Sequence, residues 1–273
     1  MERKIAINAG VGCGIPIADV IPLVKAAGFD GIFTSWDEDR PNEEWANIIA
    51  REGLIYQSIH SPFDHVEYLW EEEDAGEAYT DKLIRCVEHC ERFDVPVMVV
   101  HPIKGMDRHS PCERGIRRFA RLVEAAEKTR VKLAFENVEN REYLDMIMER
   151  LGGSESVGFC WDTGHEMCYN FSEDMMASYG KKLIATHFND NLGMTDRNVV
   201  TWTDDAHMLP FDGIADWQNI MDRIRRDGYE GILTFEFDYN PKPGKNTHER
   251  YAKMTPEEYF AEAYERARRV AAL

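Results

Sequence analysis

The chain has 273 residues, 44% of them apolar, and a formal net charge of −18 from 50 acidic and 32 basic residues. That length fits one large α/β barrel or two small domains, and the apolar fraction suffices for a real core. So acidic a surface repels a phosphate backbone, which argues against nucleic acid as a partner, and no run of ~18 apolar residues predicts a membrane span. The opening Met1-Glu2-Arg3-Lys4 passes into Ile5-Ala6-Ile7 without the apolar segment of a signal peptide. Six cysteines are scattered with no Cys-x-x-Cys pair, and Cys86 and Cys90 fall one helical turn apart, which suits a buried helix face. A reduced, cytoplasmic protein is expected.

In chain order, the pattern predicts strands over 4–10, 31–36, 54–60, 95–101, 131–136, 157–162, 183–187 and 231–236. Helices are predicted between them over 17–27, 42–51, 76–93, 113–129 and 141–151. A short helix capped by Ser172 follows, then 214–226, and last a helix opened by Thr255-Pro256-Glu257-Glu258, with Thr at the N-cap, Pro at N1 and Glu at N3. Residues 191–213 form the longest irregular segment. The strands lack alternation, as expected when both faces are buried in a parallel sheet. Eight strand–helix units in this length predict a single (β/α)8 TIM barrel spanning 1–273. Gly10-Val11-Gly12-Cys13-Gly14 does not match Gly-x-Gly-x-x-Gly, and there is no Walker sequence, so an open nucleotide-binding sheet is disfavoured.

Barrel active sites gather at the C-terminal strand ends. The stretch Phe159-Cys160-Trp161-Asp162-Thr163-Gly164-His165 ends a strand in a carboxylate, with a Thr-Gly turn and a histidine just beyond. His60, His101, Glu136, His187 and Glu236 end other strands, and Asp205 and His207 lie in the long loop. Hard carboxylate oxygens and imidazoles converging from rigid strand ends predict a divalent-metal site. A salt bridge inside the barrel is the blander account of Glu136 and Glu236, and His60 and His101 are as readily turn histidines as ligands. His65, His89, His109 and His248 read as structural. Trp36, Phe63 and Trp202 are candidates to floor a substrate pocket. Lys242 and Lys245 lie where barrels often hold phosphate, although the segment also reads as an exposed loop.

The pieces Ser58-Ile59-His60, Val100-His101-Pro102, Phe135-Glu136-Asn137, Trp161-Asp162-Thr163-Gly164-His165, Thr186-His187-Phe188-Asn189-Asp190, Asp205-Ala206-His207 with Pro210-Phe211-Asp212-Gly213, and Phe235-Glu236 resemble the xylose isomerase-like barrel superfamily. This group contains sugar phosphate isomerases and epimerases as well as endonuclease IV-type enzymes. The resemblance covers essentially the whole chain. From the ketose 3-epimerase-like members it implies one divalent metal (Mn, Zn, Mg or Co) held by Glu136, Asp162, His187 and Glu236. Glu136 and Glu236 then double as acid and base on a sugar or sugar phosphate, and the metal stabilises the enediolate. His165 resembles a histidine facing the substrate or backing the ligands, and His60, Trp36, Phe63, His101 and Asn189 are expected at the substrate. The endonuclease IV-type members imply up to three zinc ions, with His60, His101, His165, Asp205 and His207 as further ligands and abasic DNA as substrate. The acidic charge and the segment from His207 to Gly213 favour the sugar branch. A metal-dependent dehydratase would use the same glutamates, and a non-catalytic barrel has no reason to keep every ligand. Relatives are often dimers or tetramers, which leaves a homo-oligomer open.

Overall fold

The computed structural model describes residues 3–71, 74–106 and 110–273; His109 lies outside the described residues. Eight parallel strands, β1 (Ile5–Asn8), β2 (Gly31–Ser35), β3 (Ile55–His60), β4 (Val97–Val100), β5 (Lys132–Glu136), β6 (Val157–Asp162), β7 (Leu183–His187) and β8 (Leu233–Phe235), follow one another around a nearly closed barrel. The crossovers carry α1 (Ile17–Ala27), α2 (Asn42–Glu52), α3 (Ala75–Arg92), α4 (Glu113–Ala126), α5 (Glu142–Leu151), α6 (Thr163–Cys168) with α7 (Met175–Tyr179), and α8 (Trp217–Asp227), and α9 (Pro256–Ala271) follows β8. β8 pairs back onto β1. At the β7–β8 seam the Phe188 N–H donates to Thr234 O at 2.9 Å and the Glu236 N–H to Phe188 O at 3.0 Å. Thr186 Oγ1 accepts the Thr234 N–H at 2.9 Å, so a side-chain hydroxyl stands in for a main-chain partner.

Two-residue periodicity explains why the chemistry collects at one end. Met98, Leu133, Phe135, Phe159 and Trp161 pack outward in the large core under the helices. Val97, Val99, Ala134, Cys160 and Ala185 form a second, small cluster across the barrel interior. One more inward step from Val99, Ala134, Cys160 and Ala185 gives His101, Glu136, Asp162 and His187. The same step from Ser58 and Thr234 gives His60 and Glu236.

Several boundaries differ from the sequence reading. The Thr-Gly after Asp162 opens α6, because the Asp162 carboxylate accepts the His165 N–H at 2.7 Å and caps it. Asp174, not Ser172, caps α7, accepting the Ala177 N–H at 2.9 Å; Ser172 stands at φ 60°. α8 begins at Trp217 rather than 214, since the Ile214 and Ala215 N–H groups are taken by Asn191 O and Asp190 Oδ1, each at 2.9 Å. β8 stops at Phe235, one residue before Glu236. The capping box expected at α9 is present, with the Thr255 N–H donating to Glu258 Oε2 at 2.8 Å. Among the described residues no helix is long and apolar enough to cross a membrane, and all six cysteines are free.

Candidate active site

Glu136, Asp162, His187 and Glu236 each offer a ligand atom, and these atoms lie within 4.8 Å of one another. His187 Nδ1 stands between the glutamates, 2.9 Å from Glu136 Oε1 and 3.2 Å from Glu236 Oε2. Phe33 stacks on its ring at 4.7 Å and fixes its plane. Asp162 is fully buried. Asn189 Nδ2 donates to both its oxygens, at 3.2 and 3.1 Å, and the Asn137 side chain clamps its backbone with bonds of 2.8 and 2.9 Å.

Two further groups flank this centre. His60 Nε2 and His101 Nε2 lie 3.4 and 3.0 Å from Glu136 Oε2 and 3.1 Å from each other. On the other side, Asp162, His165 and His207 also offer atoms within 4.8 Å of one another. Asp205 Oδ2 sits between the two imidazoles, 3.3 Å from His165 Nε2 and 2.9 Å from His207 Nε2. The tautomers are informative. His165 Nδ1 faces Asn137 O at 3.0 Å and must donate to it, so a neutral ring turns its Nε2 lone pair onto the Asp205 carboxylate. His60 Nδ1 likewise faces Ser61 O at 2.8 Å, which turns its Nε2 lone pair toward Glu136. Acceptors facing acceptors need a proton or a cation between them, so the donor set fits a divalent metal.

The electrostatics express the same demand. Burial pushes the Asp162 carboxyl up to about 6. Burial acts the same way on Glu236, but the charge and hydrogen bond of His187 and the charge of His207 together outweigh it and hold the group at about 2. Glu136 and Asp205 sit well below the carboxylate range because histidines, led by His187 and His207 respectively, overcome their burial. In return, burial of His207 is outweighed by Asp205, which lifts it to about 9. Burial lowers His165 and His187 too, but the surrounding acidic groups outweigh it and raise both, Asp162 and Asp205 at His165, and Cys160 with Glu236 and Glu136 at His187. His101 goes the other way, lowered by burial. Without a metal, protons are what neutralise this cluster of carboxylates.

Above the cluster opens a cavity of about 800 Å³. His60, His101, His165, Asp205, His207 and Glu236 form part of its wall, with Phe63, Tyr169 and Trp202 among its aromatic residues. Of the residues expected at the substrate, Phe63, His60 and His101 line it, whereas Trp36 and Asn189 are placed elsewhere. Trp36 is 6% exposed and packs toward His89, and Asn189 is fully buried against Asp162. Asn8 and Ser35, at the ends of β1 and β2, also line the cavity. Sequence reasoning passed over them, although the strand-end rule points to both. Tyr169, Glu139 and Met106 come from loops and left no periodic signal. Lys242 reaches the cavity paired to Asp238 at 2.7 Å, while Lys245 is tied to Asp204 at 2.7 Å. His65 is exposed and stacks on Tyr68, His89 packs on Phe93, and His248 is buried beside Tyr251.

The sequence model of the xylose isomerase-like TIM barrel matches residues 21–270. The protein y4fM of Sinorhizobium fredii is 36% identical over 117 residues, 42% of this chain and 34% of that one, so the chain spans about a third of that relative's length. Among solved structures, the zinc-bound IolI protein superposes with a TM-score of 0.77 at 17% identity, covering 98% of each chain. D-allulose 3-epimerase from Methylomonas sp., in complex with D-allulose, gives 0.71 at 14% identity over 97% of this chain and 96% of that one. At such identities the structural likeness establishes the fold.

Proposed function

This chain belongs to the xylose isomerase-like TIM barrel family, and we propose that it is a divalent-metal-dependent sugar isomerase or epimerase. The observation that carries the reading is the pair Glu136 and Glu236, brought to either side of His187 Nδ1 at 2.9 and 3.2 Å with Asp162 in the same group. Similarity to an epimerase in complex with a ketose and to a zinc-bound barrel supports it. Glu136, Asp162, His187 and Glu236 would hold the ion, which when bound would polarise a sugar carbonyl and its neighbouring hydroxyl as a Lewis acid. Glu236, ionised and facing the cavity, takes the proton from the carbon beside the carbonyl. Glu136, deeper and backed by His60 and His101, would be the partner on the other side; held ionised here, it would return a proton after drawing one from a neighbouring imidazole such as His101, 3.0 Å away. His165, at the cavity wall, would hydrogen-bond the substrate through Nε2, sharing that atom's contact with Asp205.

Glu136→Gln and Glu236→Gln keep shape but remove the proton-carrying group, so each is expected to abolish turnover of the accepted ketose while the fold survives. Full activity in either variant would overturn the acid–base assignment. Loss of a hydroxyl in the product, instead of a new sugar isomer, would move the same residues to a dehydratase.

A second reading has one observation in its favour, the two flanking groups His60–His101–Glu136 and Asp162–His165–His207. Together with the centre they suit up to three zinc ions and an endonuclease IV-type phosphodiesterase. The net charge of −18 works against a DNA substrate. Metal analysis separates the two readings. About one ion per chain and no incision of abasic DNA supports the sugar enzyme, whereas three tightly held zinc ions with incision lost on chelation supports the nuclease.

A further inference from the structure

We infer that the outer half of the cavity is a subsite for an uncharged substituent on the sugar, such as a second sugar ring, and not for a phosphate. The inference rests on the sugar reading above and narrows its substrate class. It starts from size. A cavity of about 800 Å³ lies in the upper part of the ~300–1,000 Å³ range that encloses drug-sized ligands, more room than a bare monosaccharide fills.

Charge comes next. Among the described lining residues the ammonium groups are Lys104 and Lys242, against the carboxylates of Glu139, Asp205, Glu236 and Asp238. Both lysines are engaged. Lys104 is ion-paired to Asp64 and lies 4.7 Å over the Phe63 ring, and Lys242 is paired to Asp238 at 2.7 Å. In many barrels the loops after the seventh and eighth strands cradle phosphate. Here Lys245 bridges those two loops instead, bonded to Asp204 at 2.7 Å and to Thr195 Oγ1 at 2.9 Å. A phosphate in the outer cavity would have to break an existing pair and then face Glu139 or Asp238.

The remaining wall suits a neutral ring. Trp202 lines the cavity yet is 56% exposed, with Val200 and Met106 also on the wall. An indole face left in water at the mouth of a pocket gains from being covered, and the C–H face of a sugar ring covers it without leaving hydroxyls buried and unpaired.

The test uses three ketoses that differ only at one oxygen: D-fructose, D-fructose 6-phosphate, and isomaltulose, which carries glucose where the second carries phosphate. Binding to the metal-loaded full chain is measured calorimetrically at physiological ionic strength. Isomaltulose is expected to bind about tenfold more tightly than fructose, with fructose 6-phosphate no tighter than fructose. In Trp202→Ala the advantage of isomaltulose over fructose falls below about threefold. Tightest binding by fructose 6-phosphate, equal binding of isomaltulose and fructose, or a tenfold preference retained in Trp202→Ala each overturns the subsite while leaving the ketose reading intact. Binding of none of the three by metal-loaded protein overturns the ketose reading itself.

Discussion

Replacing Gly164 by alanine is expected to damage the metal centre without touching a ligand. A Cβ at this position would lie 2.9 Å from Asn189 Cγ and closer still to Oδ1. Asn189 Nδ2 is the donor to both Asp162 oxygens, at 3.2 and 3.1 Å, so the new methyl drives the amide off the carboxylate. Gly164 lies within α6 and carries no positive φ, so alanine adds no backbone strain and favours the helix by up to ~1 kcal/mol. Losing a partner that orients a metal ligand costs ~10–100-fold in affinity, about 1.4–2.7 kcal/mol. The assay is competition for Zn or Mn against a chromogenic chelator, with circular dichroism to check the fold. Asn189→Ala should cost the same, and the double variant no more than either single one, because with the amide gone the methyl has nothing to displace. Wild-type affinity in Gly164→Ala, or a double variant whose loss is the sum of the two singles, would refute the reasoning.

Three other outcomes follow from the structure. Metal binding at neutral pH should release at least one proton, since His187 and His165 are held protonated above their usual range. Affinity should therefore rise with pH and fall steeply below about 6, where Asp162 protonates. Binding heats in buffers of different ionisation enthalpy check this, and zero proton release contradicts it. Asp190→Ala removes the acceptor for the N–H groups of Phe211, Ala215 and Trp217 Nε1, at 2.8, 2.9 and 3.1 Å. At ~1–3 kcal/mol per stranded donor the loss should be about 3 kcal/mol or more, roughly 6–10 °C in Tm by the usual scaling, and a shift within 2 °C or so would count against it. His248 is buried and pushed down to about 4 from 6.5. Between those values the unfolded chain takes up a proton that the folded chain refuses, so stability drops on acidification through that window. In His248→Asn the fall of Tm with acidification should flatten, and parallel curves would show that another group is responsible.

What the sequence revealed of the site depended on how local each signal was. Glu136, Asp162 and His187 end strands whose apolar runs are unmistakable, and period two alone aims them inward. The Thr255–Glu258 box is likewise contained within four residues. Asn189 shows the limit. It adjoins a strand-end ligand, which suggests substrate contact, but whether its amide meets substrate or Asp162 depends on α6 packing against the loop after β7, a contact 27 positions away in sequence. α6 itself was hidden because Thr-Gly usually marks a turn, and the carboxylate that caps it is the same one expected to bind metal. Tyr169 and Glu139 reach the cavity on segments held by non-local bonds, such as Asn170 Nδ2 to Val138 O and the Gly105 N–H to the Glu139 carboxylate, and no periodicity reports those.

The most direct test of the central claim is the uptake of solvent deuterium. Metal-loaded protein is incubated in D₂O with a panel of ketoses and aldoses, including disaccharide forms, and each sugar is examined by NMR. If Glu136 and Glu236 exchange a proton with the carbon beside the carbonyl, deuterium appears at that carbon in at least one sugar. Uptake should stop on chelation and in Glu136→Gln and Glu236→Gln. Deuterium uptake that survives both substitutions, or none in any sugar from a protein with a full metal complement, would contradict the account.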